Sequence, residues 1–281
     1  MNSYSQPGTA AAEHSSPRPL VLKLGGELLE SAGQRANIAQ LAAAALANRP
    51  LVVIHGGGRA IDAELKRRQI APRKVDGLRI TDAETLDAVV AVLAGSANTD
   101  LVAACVGAGV PAVGLTGVDA GFGRARRTAA YVATDGHTVD LGRVGDPEQV
   151  DPGLVRWLVS GRFVPVIASL GIDEAPGASV LNVNADVMAC RLAAALGDCD
   201  LVIAGGTPGV LDAQGQSIPA LDVAGIDEVI ASGTATAGMV AKLSACRAAL
   251  LAGVRSVRLI DGRGLDGTHP VADAAGTTLT R

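Results

Sequence analysis

Aromatic residues are nearly missing. Two Phe, two Tyr and one Trp make up 2% of a 281-residue chain. So few rings cannot build stacking platforms for exposed bases. A surplus of positive charge is missing too: 24 Lys and Arg stand against 28 Asp and Glu, for a net charge of −4. Broad electrostatic binding to nucleic acid or to an anionic membrane needs a basic surface, so neither partner is expected. Cysteine and histidine are scarce, with four of each. Cys105, Cys190, Cys199 and Cys246 form no CxxC and the histidines are far apart, so no metal site is expected. Their scatter through apolar segments fits reduced, buried thiols of a cytosolic protein. The longest apolar runs, such as LAAAALA at 41–47, fall far short of a bilayer span. Residues 1–19 lack the basic start and apolar stretch of a secretory signal. A cytoplasmic protein is the expectation.

What is present is apolar and glycine-rich: 48% hydrophobic residues and 35 Gly. That suffices for one large domain over 20–281, preceded by a mobile tail over 1–19 that is rich in Ser, Ala and Pro. Buried strands are expected at 20–24, 50–55, 110–117, 163–170, 200–205 and 254–260. Helices are expected at 34–48, 60–69, 82–108, 154–160, 184–196, 226–232 and 240–252, with hairpins over 120–150. Strands alternating with helices predict an α/β fold with a mainly parallel sheet. Ligands of such sheets sit beyond the carboxyl ends of the strands.

Several of those ends carry glycine. Gly25-Gly26 and Gly56-Gly57-Gly58 each follow a buried strand and precede a helix. There, backbone N–H groups can converge on an anion, although a tight turn alone needs the same residues. Neither GxxxxGK[ST] nor GxGxxG occurs, so the phosphate chemistry is of another type. Lys23 lies inside an apolar strand, which is costly without a charged partner or ligand. Lys242 lies near the start of an apolar helix, where a solvated face is an equal alternative. LNVNAD at 181–186 reads as an Asx helix cap that can also present Asn182 to a ligand and Asp186 to a lysine. Arg79 follows a turn and suits forked recognition of a carboxylate.

The ordered set is specific. KLGGELL (23–29), VVIHGGG (52–58), DGLRITD (76–82) and GLTGVDAG (114–121) come first. VPVIASLG (164–171), LNVNAD (181–186), PGVLD (208–212), GMVAKLSACRAAL (238–250) and IDGR (260–263) follow. From residue 20 onward the chain resembles the N-acetylglutamate kinase branch of the amino-acid kinase family. The resemblance implies a three-layer αβα sandwich. It implies an acyl-amino-acid lobe at about 20–175 and a nucleotide lobe at about 176–281. The implied reaction is ATP-dependent phosphorylation of the γ-carboxylate of N-acetyl-L-glutamate in arginine synthesis, with Mg²⁺ carried by ATP. Lys23, Lys242 and Asp186 take the catalytic places. Gly56, Gly57, Arg79 and Asn182 take the places that hold the acceptor. Gly25, Gly26, Gly206 and Gly209 fall at the nucleotide. Residues 1–19 show no helical apolar stripe of the kind that links arginine-inhibited members into hexamers, so a homodimer is implied.

Two positions depart from the pattern: Gly206 stands where an Asp is usual, and Val118 where many members have Lys. The first leaves room for a non-catalytic, regulatory member of the same fold. A larger acceptor such as a carrier-linked aminoadipate is another alternative, with RARR at 124–127 as the patch for its carrier or as a solvated basic turn.

Overall fold

The computed structural model describes residues 17–128, 130–133, 135–177, 179–269, 271 and 274–281. The expected tail therefore falls, up to residue 16, outside the described residues. The first elements are β1 (Leu20–Leu24), α1 (Ala32–Asn48), β2 (Leu51–His55), α2 (Gly58–Arg67), β3 (Lys74–Val75) and β4 (Leu78–Arg79). Then come α3 (Ala83–Val90), α4 (Asn98–Gly107), β5 (Ala112–Thr116), β6 (Gly123–Arg127), β7 (Tyr131–Val132), β8 (Thr138–Val139) and β9 (Val144–Val150). They are followed by α5 (Gly153–Ser160), β10 (Val164–Ala168), β11 (Leu170–Asp173), β12 (Val180–Val183), α6 (Ala185–Leu196) and β13 (Asp200–Gly205). Last are β14 (Ala220–Leu221), α7 (Val223–Ala231), α8 (Ala237–Leu251), β15 (Ser256–Asp261) and β16 (Gly276–Thr280).

Strands β1, β2 and β10 are buried along their whole length, so both faces of the sheet must be covered. The eight-stranded sheet runs β14-β16-β15-β13-β1-β2-β10-β5. Every pairing in it is parallel except β15 with β16. The period-2 pleat sends Leu20, Leu22, Leu24, Leu51 and Val53 to one face, against Ile38 and Leu41 of α1 and Leu101 of α4. Val21, Val52, Ile54, Leu201 and Ile203 go to the other, against Val155 of α5, Met188 and Leu192 of α6 and Leu243 and Cys246 of α8. This is the three-layer αβα sandwich. A small closed barrel of β6, β9, β11 and β12 stands beside it. All four cysteines are buried and free.

Three segments differ from the sequence-based expectation. FVPVIASL is two strands, β10 and β11, because the chain leaves the main sheet at Ser169 and enters the barrel. RARR lies in β6, not in a turn. Arg126 meets Glu148 at 2.7 Å, and Arg127 donates to the Gly142 carbonyl at 2.6 Å. The last residues, where no strand is expected, form β16 inside the sheet. Their pattern, GTTLT, offers little apolar signal. Thr277 is buried by hydrogen bonding instead: its hydroxyl donates to Ile218 O at 2.6 Å and accepts from Val210 N at 2.8 Å. The continuous helical stretch Ala83–Gly107 is also long and apolar enough, by length and composition, to cross a bilayer. Counting unbroken apolar runs misses it. Within it Gly95 leaves helical geometry (φ −92°, ψ −106°), and its second half packs on α1, β5 and β10.

A buried histidine ties this helix to the sheet. His55 Nε2 lies 3.0 Å from Asn98 Nδ2, which also donates to Val166 O at 2.8 Å. His55 Nδ1 lies 3.1 Å from Gly56 O. Neutral imidazole fits, accepting at Nε2 and donating at Nδ1. Burial pushes the His55 pKa down from 6.5 to about 4. Between those values the unfolded chain binds the extra proton, so stability rises with pH across the window. Acidifying from pH 6.5 to 4 is expected to cost up to about 3 kcal/mol through this one group. Urea denaturation at stepped pH checks it: His55→Gln should flatten the slope in that window. An unchanged slope would remove His55 as its source.

Candidate active site

The pleat that places Val21 against α6 and α8 places Lys23 on the same face, one step nearer the strand end. Both helices point their N-terminal turns toward that end. Asp186 is the second residue of α6, and Lys242 is in the second turn of α8. Lys23 Nζ meets Asp186 Oδ1 at 2.8 Å. Lys242 Nζ meets Oδ1 and Oδ2 of the same carboxylate at 3.2 and 3.1 Å. The three side chains are 9%, 14% and 17% exposed, in the order Lys23, Asp186, Lys242. Burial alone would raise the Asp186 pKa, but the two ammonium groups outweigh it and hold the group down to about 2. Burial alone would lower the Lys242 pKa; the Asp186 carboxylate reverses that and raises it. Asp186 and Lys242 are therefore charged at neutral pH, and in formal charge two lysines on one carboxylate leave one positive charge in excess. Asn184 caps α6, its side chain accepting from Asp186 N at 2.8 Å and Val187 N at 3.2 Å.

The two glycine loops abut. A Cβ on Gly26 would come within 2.7 Å of Gly57 Cα, and one on Gly57 within 2.9 Å of Leu93. Only glycine permits this approach, which brings the ends of β1 and β2 together beside Lys23.

Beyond the second loop lies a cavity of about 410 Å³, lined by Gly56, Gly57, Gly58, Arg79, Asn182 and the first turn of α6, among others. That volume suits a small-molecule ligand. Arg79 is 8% exposed. Its Nη2 meets Asp62 Oδ1 at 2.7 Å and Gly58 O at 3.2 Å. Its buried Nη1 has no hydrogen-bond partner among the described residues. An unsatisfied buried guanidinium nitrogen is costly, and an anionic ligand would relieve it. Asn182 Nδ2 donates to Thr81 Oγ1 at 3.1 Å. At the rim, Tyr131 Oη donates to Asp76 Oδ2 at 3.0 Å.

Gly25, Gly26 and Gly206 lie on the other side of the lysines, where β1 and β13 end. Gly206 is outside the left-handed region that favours glycine, and a Cβ there would lie 3.6 Å from Glu27 Oε1, an ordinary contact. Gly209 differs: at φ +113° its Cβ would sit 2.5 Å from Thr277 Oγ1. It is a turn glycine packed on β16. Among the described residues no group of three or more His, Cys, Asp or Glu is arranged to hold a metal.

The sequence reading missed two carboxylates. Asp62 holds both Arg79 and, at 2.7 Å, Lys74. Burial would raise its pKa, but hydrogen bonds from Lys74 and Arg79 hold it below the usual carboxylate range. Its one sequence signal is its place in the first turns of the helix that follows GGG. Glu27 follows the first glycine pair directly, and nothing in its sequence position marks it.

The amino acid kinase family model matches residues 18–261. The acetylglutamate kinase of Aromatoleum aromaticum is 42% identical over 214 residues, 75% of this chain and 71% of that protein. The acetylglutamate kinase of Chromobacterium violaceum is 40% identical over 248 residues, 88% of this chain and 84% of that protein. Among solved structures, the N-acetylglutamate synthase of Neisseria gonorrhoeae superposes with a TM-score of 0.79 at 22% identity. That match covers 95% of this chain and 60% of the synthase. A carbamate kinase from Giardia superposes at 0.63 with 12% identity, covering 95% of this chain and all of that one. These two likenesses are of fold.

Asp186→Asn would leave two buried ammonium groups facing each other. Breaking such a group from one side is expected to cost about 3 kcal/mol or more. Adding Lys23→Met should recover part of that loss, because one uncompensated charge leaves with it. Chemical denaturation of the single and double variants at pH 7 measures both. Strictly additive losses would contradict a shared charge cluster.

Proposed function

Since the chain belongs to the amino acid kinase family, we infer that it transfers the γ-phosphoryl group of ATP to the γ-carboxylate of N-acetyl-L-glutamate. The product is N-acetylglutamyl 5-phosphate, an intermediate of arginine biosynthesis. The observation that carries this reading is the pair of lysines on one buried carboxylate, set between two glycine-lined strand ends. It is supported by two acetylglutamate kinases at 40% and 42% identity.

The chemistry follows from charge. Both reactants are anions, so the first task is to offset their repulsion. Lys23 and Lys242 supply positive charge where the phosphoryl group moves, and Asp186 holds them in place. A carboxylate oxygen of the acceptor attacks phosphorus as the bond to the β,γ-bridging oxygen breaks, and ADP leaves with that electron pair. The acceptor is ionised at neutral pH, so no general base is required. Backbone N–H groups of Gly56 and Gly57 would steady the acceptor carboxylate and the transferred group, and those of Gly25 and Gly26 the β- and γ-phosphates. Arg79 Nη1, buried and unsatisfied, would fork with Asn182 onto the α-carboxylate. Fixing both reactants in line supplies much of the rate.

Mg²⁺ accompanies the nucleotide in this proposal and would neutralise phosphate charge. The described residues offer no cage of their own for it, which fits an ion carried mainly by phosphate oxygens. The acceptor lobe spans about 20–175 and the nucleotide lobe about 176–281, with Asn182 reaching back into the acceptor cavity. A cytoplasmic homodimer completes the reading, and the acidic charge balance argues against nucleic-acid and anionic-membrane partners.

The test is a coupled ADP-release assay with Mg-ATP and N-acetyl-L-glutamate, with hydroxylamine to trap the acyl phosphate. Lys23→Ala and Lys242→Ala should each lower kcat by about 100-fold or more. Arg79→Ala should act chiefly on KM for the acceptor, by about 100-fold, leaving KM for ATP within a few-fold. Full activity in either lysine variant, or a larger acceptor preferred over acetylglutamate, would overturn the assignment.

A further inference from the structure

Glu27 sits in the short turn Gly26–Leu28, directly after the first glycine pair. Its side chain folds back over that loop. A Cβ on Gly25 would overlap its carboxylate, and Cβ atoms on Gly205 and Gly206 would lie 3.4 and 3.6 Å from Glu27 Oε1. The carboxylate therefore fills the gap between the ends of β1 and β13, where its three neighbours Gly25, Gly205 and Gly206 lack side chains. Glu27 is only half-buried. Among the described residues no hydrogen bond or salt bridge satisfies its carboxylate; Lys242 interacts with it through space.

Other carboxylates nearby are committed. Asp186 is held by both lysines. Asp212, at the end of the loop after Gly206, accepts Gln214 N at 2.9 Å and Gln216 N at 2.8 Å through Oδ1 and closes its own turn. Asp261 is gripped by Arg263. Glu27 alone faces the nucleotide side of the lysines with its oxygens unspent.

Magnesium in phosphoryl-transfer sites binds through one or two carboxylates together with substrate phosphates and waters. One unspent carboxylate beside a phosphate-binding glycine loop is that donor set. We propose that Glu27 binds the divalent cation carried by ATP and so supplies the carboxylate that Gly206 lacks. This rests on the ATP-binding reading above.

Calorimetric titration of ATP and ADP into the full chain, with Mg²⁺ or with chelator, tests it. In the native chain Mg²⁺ should tighten ATP binding. Glu27→Gln should weaken Mg-ATP binding by about tenfold, leave metal-free ATP binding equal or tighter, and leave acetylglutamate binding unchanged. The double variant Glu27→Gln with Gly206→Asp should recover the metal dependence, since position 206 has the backbone and the room for a side chain. Equal tightening of both ATP forms in Glu27→Gln would mean the carboxylate only repels phosphate, and would overturn the proposal. So would unchanged binding of both forms. If Glu27→Gln does not fold, Gly206→Asp alone is read: the Mg²⁺ needed for half-maximal ATP binding should fall several-fold, and an unchanged requirement overturns the proposal. A native chain that binds no nucleotide overturns the ATP reading and this proposal together. Native metal-dependent binding that the variants leave untouched overturns the Glu27 role alone.

Discussion

Two buried ammonium groups share one carboxylate, and the arrangement of the molecule depends on that. Lys23, Asp186 and Lys242 come from β1, α6 and α8, three elements that meet at one end of the sheet. Placing three charges there is costly, and their mutual attraction offsets the cost only while the geometry holds. The cluster keeps one positive charge more than it can satisfy. A site that is electrically incomplete when empty attracts anions without a dedicated motif such as GxxxxGK[ST] or GxGxxG.

The strand order makes this possible. β1 lies between β2 and β13, so the loops leaving all three open onto the same crevice. Glycine is required there for proximity more than for turning: Gly26 and Gly57 touch backbone to backbone. Bringing two strand ends this close puts the loop of Gly56, Gly57 and Gly58 on the cavity and that of Gly25 and Gly26 beside the end of β13, with Lys23 between. That cavity is completed from outside the main sheet, by Arg79 on β4 and by Asn182 on the barrel strand β12.

The α/β alternation and the need of Lys23 for a partner were legible for physical reasons, whereas the sandwich and the joining of Lys242 to Asp186 were expected from the family resemblance. Buried parallel strands read as continuous apolar runs, and a lysine inside one of them, Lys23, demands a partner. What escaped was structure held by polar groups. Strand β16 carries threonines whose burial depends on hydrogen bonds to Val210 and Ile218. The split of FVPVIASL at Ser169 is invisible to hydrophobicity, because both halves are equally buried. Asp62 and Glu27 escaped for a related reason. Their meaning depends on which side chains lie near them in space, and the partners of Asp62, Lys74 and Arg79, come from β3 and β4, outside its own helix.

The charge balance of the cleft links the two carboxylates that face it. Lys23 and Lys242 carry two positive charges, and Asp186 takes up one by direct contact. Glu27, lying across the ends of β1 and β13, faces Lys242 through space without pairing with it, so the second charge stays only partly offset. A nucleotide with its cation disturbs that balance in a paired way: phosphate oxygens need the lysines, and the cation needs an oxygen anion. With glycine at 205 and 206, the oxygen anion within reach on that side is Glu27. A carboxylate on the loop after β13 and one on the loop after β1 would address the same space from opposite walls. The close approach of Gly25, Gly205 and Gly206 to the Glu27 carboxylate is what brings the two positions onto one space.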